Sequence, residues 1–214
     1  MAEALPVYYG VSADGRAVAE AEVGGIDAAQ ELIAAAGAAG SVLAWAHSAG
    51  DLSSLGFSRR PGYRRLTGPA RPAPLPDGVT GLGADEDTAE LCVAAYCGQW
   101  GHKTPGTWPI AELAGSTVLS LRHDKLITGI CRVFPATGHI DAPGLIGGQS
   151  DLAGYRILLS AALSRITAGQ AIVESWGDGP GRVHACGQLG LTTAECCPGW
   201  ELDLASHPQA LSSG

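Results

Sequence analysis

A glycine-rich turn between an extended segment and a helix-patterned segment constrains the fold of this chain more than any other feature. The turn lies within residues 141–155, and apolar residues follow it at helical spacing: Ile157, Leu158, Ala161, Ala162 and Ile166. The free N–H groups and the positive dipole end of a helix N-terminus favour an anion, and glycines let the backbone approach it. The pattern therefore predicts a strand, a turn and a helix, with a candidate phosphate site at the turn.

Composition restricts the class of protein and the class of partner. The chain has 214 residues, of which 46% are hydrophobic and 16% charged, and this favours a compact globular fold over disorder. Its 13 Lys and Arg residues against 21 Asp and Glu residues give a net charge of −8. A surface that acidic does not suit nucleic acid or an anionic membrane. We therefore expect a small-molecule substrate as partner, and the sequence leaves a homodimer open.

The N-terminus and the cysteines bear on the cellular compartment. The first residues lack a basic region followed by an apolar one, and no apolar run of roughly 18 residues occurs anywhere. We therefore expect a cytoplasmic protein whose six cysteines stay reduced. Their spacing matches no zinc pattern, so no metal site is predicted. The vicinal pair Cys196-Cys197 is interpreted as two small strand residues rather than a redox pair.

The N-terminal third of the chain predicts a small lobe with strands and one main helix. Alternating segments on either side of Asp14-Gly15 indicate a β-hairpin, and Asp27 is the expected N-cap of the helix. Proline-rich sequence then indicates a linker. We assign residues 1–68 to the lobe and 69–83 to the linker. The predicted elements are the hairpin over 7–23, a helix from Ile26, a strand over 41–47 and a short helix over 51–55.

The remaining sequence predicts a second, larger domain over residues 84–206, followed by a tail over 207–214. Its two central strands are separated by a short turn, and a third extended piece leads into the glycine-rich turn. The predicted elements are a helix over 84–96, a loop over 99–109, strands over 116–122 and 126–134, a helix over 151–168, a strand over 171–176, a helix over 182–189 and a strand over 193–204.

Two parts of the chain look alike. The helix and strand at 27–47 match those at 153–176 in pattern, and the first part lacks the glycine-rich turn. The chain therefore reads as one and a half copies of one unit. The matching local sequences are Leu55-Gly-Phe with Leu189-Gly-Leu, and Pro61-Gly-Tyr with Pro198-Gly-Trp.

Three local sequences, in this order and spacing, resemble the GNAT acyltransferase superfamily: Gly129-Ile-Cys-Arg-Val, His139-Ile-Asp-Ala-Pro-Gly and Leu158-Leu-Ser-Ala-Ala-Leu. Residues 84–204 follow the element order of that superfamily, and residues 10–66 resemble part of a reduced second copy. The resemblance implies an α+β (mixed α/β) fold, with a GNAT-like twisted mixed sheet flanked by helices and a truncated N-terminal GNAT-like lobe. It also implies acetyl-CoA or another acyl-CoA, whose pantetheine arm enters between splayed central strands.

In the superfamily a Gln/Arg-x-x-Gly-x-Gly/Ala turn holds the pyrophosphate of the cofactor. The matching positions here are Ser150, Ala153 and Tyr155, and we expect the Tyr155 ring to stand where the backbone should approach the phosphates. A shifted turn with one nearby cation is the expected replacement, and strand N–H groups are the expected oxyanion donors. The cofactor-binding candidates are Ile140, Leu145, Gly148, Gln149, Gly154 and Arg156.

The resemblance implies direct aminolysis, for which four catalytic candidates stand out: Glu174, His139, Cys186 and His102. Glu174 and His139 are the leading candidates for the base. Glu174 lies in an apolar strand, where a charge is costly unless it faces a cleft or a partner, and His139 lies just before the Asp-Ala-Pro-Gly bend. Cys186 falls where many members carry the Tyr that protonates the leaving thiolate. The structural alternatives stay open: Glu174 pairs with an arginine such as Arg132, His139 caps a strand end, and Cys186 is a buried small residue.

An acceptor pocket is expected where the 99–109 loop faces the end of the 171–176 strand. The loop is predicted to act as a lid, and a surface loop pinned by its tryptophans is the alternative. Asp141 is given only a turn role, and the Arg59–Arg65 cluster is interpreted as a solvated edge strand. The substrate-binding candidates are Trp100, Lys103, Trp108, Trp176 and Asp178.

Two functional hypotheses follow. The first is direct transfer of an acyl group from acyl-CoA to the amine of a small molecule. The second is a divergent GNAT-like protein with a degenerate CoA loop, which either binds a ligand without catalysis or carries out a different reaction on another substrate. The altered turn at 150–155 is the feature that separates them.

Overall fold

The computed structural model describes residues 5–12, 16–46, 50–82, 102–103 and 115–206, with the backbone alone at residues 11, 12, 102 and 103. The chain divides into two compact units. The first comprises Met1–Tyr63, Gly101–Pro105 and Cys196–Gly214, and the second comprises Arg64–Trp100 and Gly106–Glu195. The predicted helix over 84–96 lies outside the described residues. The division into a reduced lobe, a linker and a complete domain stays a prediction.

Strands and helices combine in both units, which confirms the predicted α+β class. No helix in the described part of the chain is long and apolar enough to cross a membrane. In chain order the strands are β1 Tyr8–Ser12, β2 Ala17–Val23, β3 Ser41–Ala46, β4 Ser58–Pro69, β5 Val79–Gly81, β6 His102–Lys103, β7 Thr117–His123, β8 Leu126–Phe134, β9 His139–Asp141, β10 Gly144–Leu145, β11 Gln170–Trp176 and β12 Thr192–Asp203. The α-helices are α1 Ile26–Ala35, α2 Leu152–Arg165 and α3 Pro180–Gln188.

The first unit is a mixed sheet covered by α1. β1 and β2 form the predicted antiparallel hairpin, β6 pairs with β1, and β2 and β3 run parallel across the α1 connection. The end of β12 pairs antiparallel with β3, placing Trp200 opposite Ala44. α1 buries Ala29 and Leu32 against the sheet. The predicted N-cap is wrong: Gly25 holds that position, and Asp27 lies within the first turn, where the helix dipole favours its charge.

The second unit has antiparallel strands on one side and a parallel pair at its centre. β5, β7, β8 and β9 pair antiparallel in that order, and β10 pairs with β8. β9 then pairs parallel with β11. The β7–β8 hairpin turns at Asp124 and Lys125, whose φ values of 48° and 71° are those of a type I′ turn. This hairpin confirms the two strands predicted before the glycine-rich turn.

Helix α2 connects the parallel strands and buries seven of its 14 residues in the second unit. Tyr155, Leu158, Ala161 and Ala162 are completely buried there. The prediction that Ile157 belongs to the same buried stripe is wrong, because this residue lies on the outer side of the helix and is 36% exposed. The small alanines let the helix lie close to the strands beneath it.

Strand β4 changes two expectations about the segment before the second domain. It continues to Pro69, and β5 lies inside the stretch predicted as a linker. β4 has a strand on either side, β11 and β12, so the Arg59–Arg65 cluster does not lie on a solvated edge strand. Leu66 of β4 is buried in the core of the second unit. Residues of the predicted lobe thus help to build that core.

Candidate functional site

The two leading base candidates lie in contact on the parallel strands of the second unit. His139 is opposite Ile172, and Asp141 is opposite Glu174, so these four side chains share one face of the sheet. His139 Nε2 lies 3.2 Å from Glu174 Oε1. The side chain of His139 is 41% exposed and that of Glu174 is 17% exposed, so the pair is open to solvent through the histidine.

An arginine that sequence analysis did not assign to the site also holds Glu174. Arg65 Nε donates to Glu174 Oε1 at 3.1 Å, and its NH1 donates to Glu195 Oε2 at 2.9 Å. The alternative that Glu174 pairs with an arginine is therefore confirmed, although the partner is Arg65 rather than Arg132. No local pattern indicates this contact, because the two residues are separated by 109 positions.

Asp141 has a larger role than the turn role predicted for it. Its Oδ2 lies 3.7 Å from Arg132 NH1, and the Asp141 carboxyl group is only 23% exposed. Burial raises the pKa of Asp141, and the nearby Arg132 charge only partly offsets this. The carboxyl group therefore keeps its proton to a higher pH than an ordinary aspartate. Its position two residues after His139 in an extended segment was the available signal, because alternate strand residues share a face.

The alternation of β11 explains which predicted residues reach this face. Ala171, Val173 and Ser175 are buried, whereas Glu174 and Trp176 are half-buried on the opposite side of the strand. Trp176 therefore lies on the Glu174 side, as a wall of an acceptor site requires. This part of the predicted substrate site remains a prediction.

Asp178 is not a pocket wall but the centre of a buried polar cluster. It is 1% exposed and receives hydrogen bonds from Arg182 NH1 at 3.0 Å, Tyr155 OH at 3.0 Å and Ser175 Oγ at 2.7 Å. Arg182 is equally buried, and its guanidinium lies 4.7 Å above the Tyr155 ring. The carboxylate is thus the counter-ion of a buried arginine, so the substrate contact predicted for Asp178 is wrong.

Tyr155 and Cys186 belong to the same cluster. The Tyr155 side chain is completely buried, so the expectation that its ring blocks the phosphate turn is wrong: the ring points into the core. Cys186 Sγ lies 3.5 Å from Tyr155 OH, and burial raises the pKa of this thiol to about 11. The side chain is 1% exposed, out of contact with solvent and with any leaving group there, which favours the packing alternative over the role of acid.

The glycine-rich turn is occupied by a carboxylate of the protein itself. Asp151 is the N-cap of α2, and its side chain accepts a hydrogen bond from Gly154 N at 2.9 Å. A Cβ atom on Gly154 would lie 2.5 Å from Asp151 Oδ2, and one on Gly147 would lie 3.0 Å from Asp151 Cβ. These two glycines make room for the cap. Gly154, predicted to contact the cofactor, instead contacts Asp151.

Other cofactor candidates tie the turn to the loop after β11. Gln149 Nε2 donates to Gly177 O at 3.2 Å, and Gln149 Oε1 accepts from Gly179 N at 3.1 Å. Gly148 O accepts from Arg182 NH2 at 2.6 Å. Arg156, by contrast, lies on the outer side of α2, where it lines an open cavity of about 370 Å³.

At least one N–H group expected to act as an oxyanion donor is already paired, and so is the neighbouring N–H of Ile146. Ala142 N donates to Glu174 O at 3.1 Å, and Ile146 N donates to Thr128 O at 2.9 Å. The candidates Ile140 and Leu145 lie in β9 and β10 with fully buried side chains. As they stand, the residues around the turn do not fit the pyrophosphate of acyl-CoA, because an acidic cap fills the helix N-terminus.

The predicted lid falls largely outside the described residues. Trp100 and Trp108 are not described, and only the backbone of His102 and Lys103 is. That backbone forms β6, which pairs with β1 of the first unit, rather than a loop. The acceptor contacts of Trp100, Lys103 and Trp108 and the catalytic role of His102 stay predictions.

Comparisons with known proteins bear on the fold. No family model and no curated protein matches the sequence. The structure is similar to a putative acetyltransferase from Pyrococcus horikoshii (TM-score 0.55, 11% identity, 83% of this chain and 59% of that one). It is also similar to a probable N-acyltransferase of unknown function from Enterococcus faecalis (TM-score 0.53, 11% identity, 90% and 56%). A third is a GCN5-related N-acetyltransferase from Anabaena variabilis (TM-score 0.51, 8% identity, 94% and 59%).

This chain spans less than two thirds of the length of these three proteins. At such low identity the similarity establishes the fold and leaves the chemistry to the residues of the site. The predicted tandem copy is not established by these comparisons. The fold itself is confirmed: this chain is an α+β protein with a GNAT-like mixed sheet flanked by helices.

Proposed function

We propose that the second unit catalyses direct acyl transfer to the amine of a small molecule, with Glu174 and His139 acting together as the proton acceptor. The observation that carries this proposal is the 3.2 Å contact between His139 Nε2 and Glu174 Oε1 on a face that solvent reaches. The GNAT-like fold supports the reaction class, because structural neighbours include a GCN5-related N-acetyltransferase.

The pair suits removal of a proton from an amine. When Nε2–H of His139 is donated to Glu174, Nδ1 carries the lone pair that takes the proton. The Glu174 carboxylate then stabilises the imidazolium that forms, and Arg65 holds the carboxylate in place. In the reaction the ammonium gives one proton to His139, and the amine nitrogen bonds to the acyl carbon as the carbon–sulfur bond breaks. The thiolate leaves with a second proton from that nitrogen, and His139 returns its proton to solvent.

The charged groups around the pair bear on the acceptor. Around the pair, two arginines, Arg65 and Arg132, contact three carboxyl groups, those of Glu174, Glu195 and Asp141. An acceptor that arrives as an ammonium ion is attracted to such a surface and must lose a proton before it attacks. We therefore propose small cationic amines as the acceptor class, with Trp176 as an apolar wall.

The test measures amide formation with a panel of small amines and two acetyl donors, acetyl-CoA and S-acetyl-N-acetylcysteamine. We expect His139→Ala and Glu174→Gln each to lower kcat by about 100-fold, because each removes half of the proton acceptor. Asp77→Asn, a change at an exposed turn residue, serves as the matched control and should leave kcat unchanged. Absence of amide with every pairing, or full activity in both variants, contradicts the proposal.

A second candidate function is ligand binding without catalysis. The turn before α2 favours this candidate, because Asp151 caps the helix there and Gln149 bonds the turn to Gly177. These residues do not fit acyl-CoA, the cofactor that the resemblance implies. A rise in melting temperature with an amine, without amide formation from either donor, identifies this outcome.

A further inference from the structure

We infer that Asp151 is a built-in anion that excludes a nucleotide diphosphate from the glycine-rich turn. The consequence for the acyl donor rests on the proposed function: the donor is a thioester that carries no diphosphate at this turn. The fold brings a helix N-terminus and a glycine-rich turn together, an arrangement that suits an anion. In this protein the carboxylate of Asp151 occupies that position.

Electrostatic repulsion opposes a phosphate at this turn. The Asp151 carboxylate accepts from Gly154 N at 2.9 Å and so takes a donor that the start of α2 would offer to an anion. It also takes the favourable end of the helix dipole. A phosphate brought to the same place would meet a negative charge at short range, where repulsion is strongest.

Part of the space at the turn is also occupied: a Cβ atom on Gly148 would meet nothing within 4 Å, but Gly147 and Gly154 have close neighbours. Glycine leaves room for an approaching ligand beside Gly154 and Gly147, but Asp151 atoms fill it, at 2.5 Å and 3.0 Å from where a methyl group on each glycine would lie. Glycine at these two positions therefore leaves room for the Asp151 cap. A phosphate oxygen has no comparable room on that side of the turn.

Hydrogen bonds fasten the turn to the loop after β11. Gln149 bonds both Gly177 O and Gly179 N, and the buried Arg182 bonds Gly148 O at 2.6 Å. Arg182 also bonds Pro143 O and Asp178, so its guanidinium joins three backbone or side-chain acceptors around the turn. An extended arm entering here has to break these bonds, and a buried guanidinium left without its acceptors is costly.

The test is isothermal titration calorimetry with acetyl-CoA and with ADP on the full chain. Asp151→Ser removes the charge and keeps a good N-cap, because serine and aspartate cap helices about equally well. Asp77→Ser makes the same charge change at an exposed turn. We expect neither the wild type nor Asp77→Ser to show saturable binding at a ligand concentration of about 1 mM. We expect Asp151→Ser to bind both ligands with at least a tenfold higher affinity than the wild type.

Two results overturn the inference. One is saturable binding of ADP and acetyl-CoA by the wild type at micromolar concentration. The other is binding by neither the wild type nor Asp151→Ser, since the cap would then not be what excludes the ligand. If Asp151→Ser does not give a cooperative melt, Asp151→Asn takes its place, because asparagine also caps the helix without a charge.

The inference and the proposed function fail separately. Amide formation from S-acetyl-N-acetylcysteamine but not from acetyl-CoA supports both. No amide from either donor, with wild-type protein that does not bind ADP, removes the function and leaves the inference. Amide formation from acetyl-CoA at micromolar KM removes the inference and leaves the function.

Discussion

Glu174 is a carboxylate shared by a histidine and an arginine. One oxygen, Oε1, lies within hydrogen-bond distance of both His139 Nε2 and Arg65 Nε. Arg65 is a permanent cation, whereas an imidazole can both take up and release a proton. The same oxygen thus has one fixed partner that positions it and one titratable partner through which a proton can pass.

Asp141, across the strand pair from Glu174, gives a prediction about pH. Because burial raises its pKa in the folded protein, folding favours the protonated form. The stability that Asp141 contributes is therefore fully present below its unfolded pKa of about 3.9 and is lost as pH rises through the higher folded value. Relative to Asp141→Asn, we expect the wild type to lose free energy of unfolding across this window.

Urea unfolding of the wild type and of Asp141→Asn between acid and neutral pH measures this difference. Asp77→Asn is the control and should show no such trend, since Asp77 is exposed. A wild-type advantage that grows with rising pH would instead mean that Arg132 dominates the ionisation of Asp141.

At the scale of elements, the cluster around Arg182 joins the start of α3 to the turn before α2. Arg182 bonds Asp178 in the loop after β11 and Gly148 in the turn, and it stacks on Tyr155 of α2. The contact with Asp178 is buried and joins opposite charges, and the contact with Gly148 O is partly buried. Arg182 therefore helps to fix the relative position of the two helix N-termini in the second unit, together with Gln149, which bonds Gly177 and Gly179.

We expect Arg182→Met to lower the free energy of unfolding by about 3–5 kcal/mol, because it leaves the buried Asp178 charge without its counter-ion. Arg156→Met on the outer side of α2 is the matched control, and its effect should stay within about 0.5 kcal/mol. Chemical unfolding at neutral pH measures both. A similar loss in the two variants would show that the buried pair contributes no more than a surface arginine.

At the scale of the whole molecule, local patterns predicted the elements and failed where distant residues meet. The β1–β2 hairpin, α1, α2 and β11 follow from alternation, helical spacing and turn residues. Helix caps were harder, because Asp27 and Asp151 are both acidic residues near a helix start and only Asp151 caps. The inward direction of Tyr155 and the pairing of Arg65 with Glu174 depend on tertiary packing, which one sequence does not display.

The residues that form the core of the second unit predict which fragments of the chain can fold. Leu66 and Val79 are buried in the core of the second unit, but both precede the predicted domain start at residue 84. We therefore expect a fragment of residues 84–214 to lack a cooperative thermal transition, whereas the full chain has one. Circular dichroism melting compares them, and a fragment of residues 64–214, which restores both residues, should regain structure. A sharp transition in the shorter fragment contradicts this expectation.

The make-up of the first unit has a consequence for the order of events during synthesis. Its sheet needs residues 199–203 of β12 beside β3, and these residues are translated long after β3 itself. Until these residues leave the ribosome, β3 lacks its neighbouring strand β12, which carries Trp200 and Leu202. The apolar residues of β3 are then exposed at an unpaired strand edge. The sheet of the first unit therefore stays incomplete while the strands between β3 and β12 are made, and this open edge of β3 is where we expect a holding chaperone to bind.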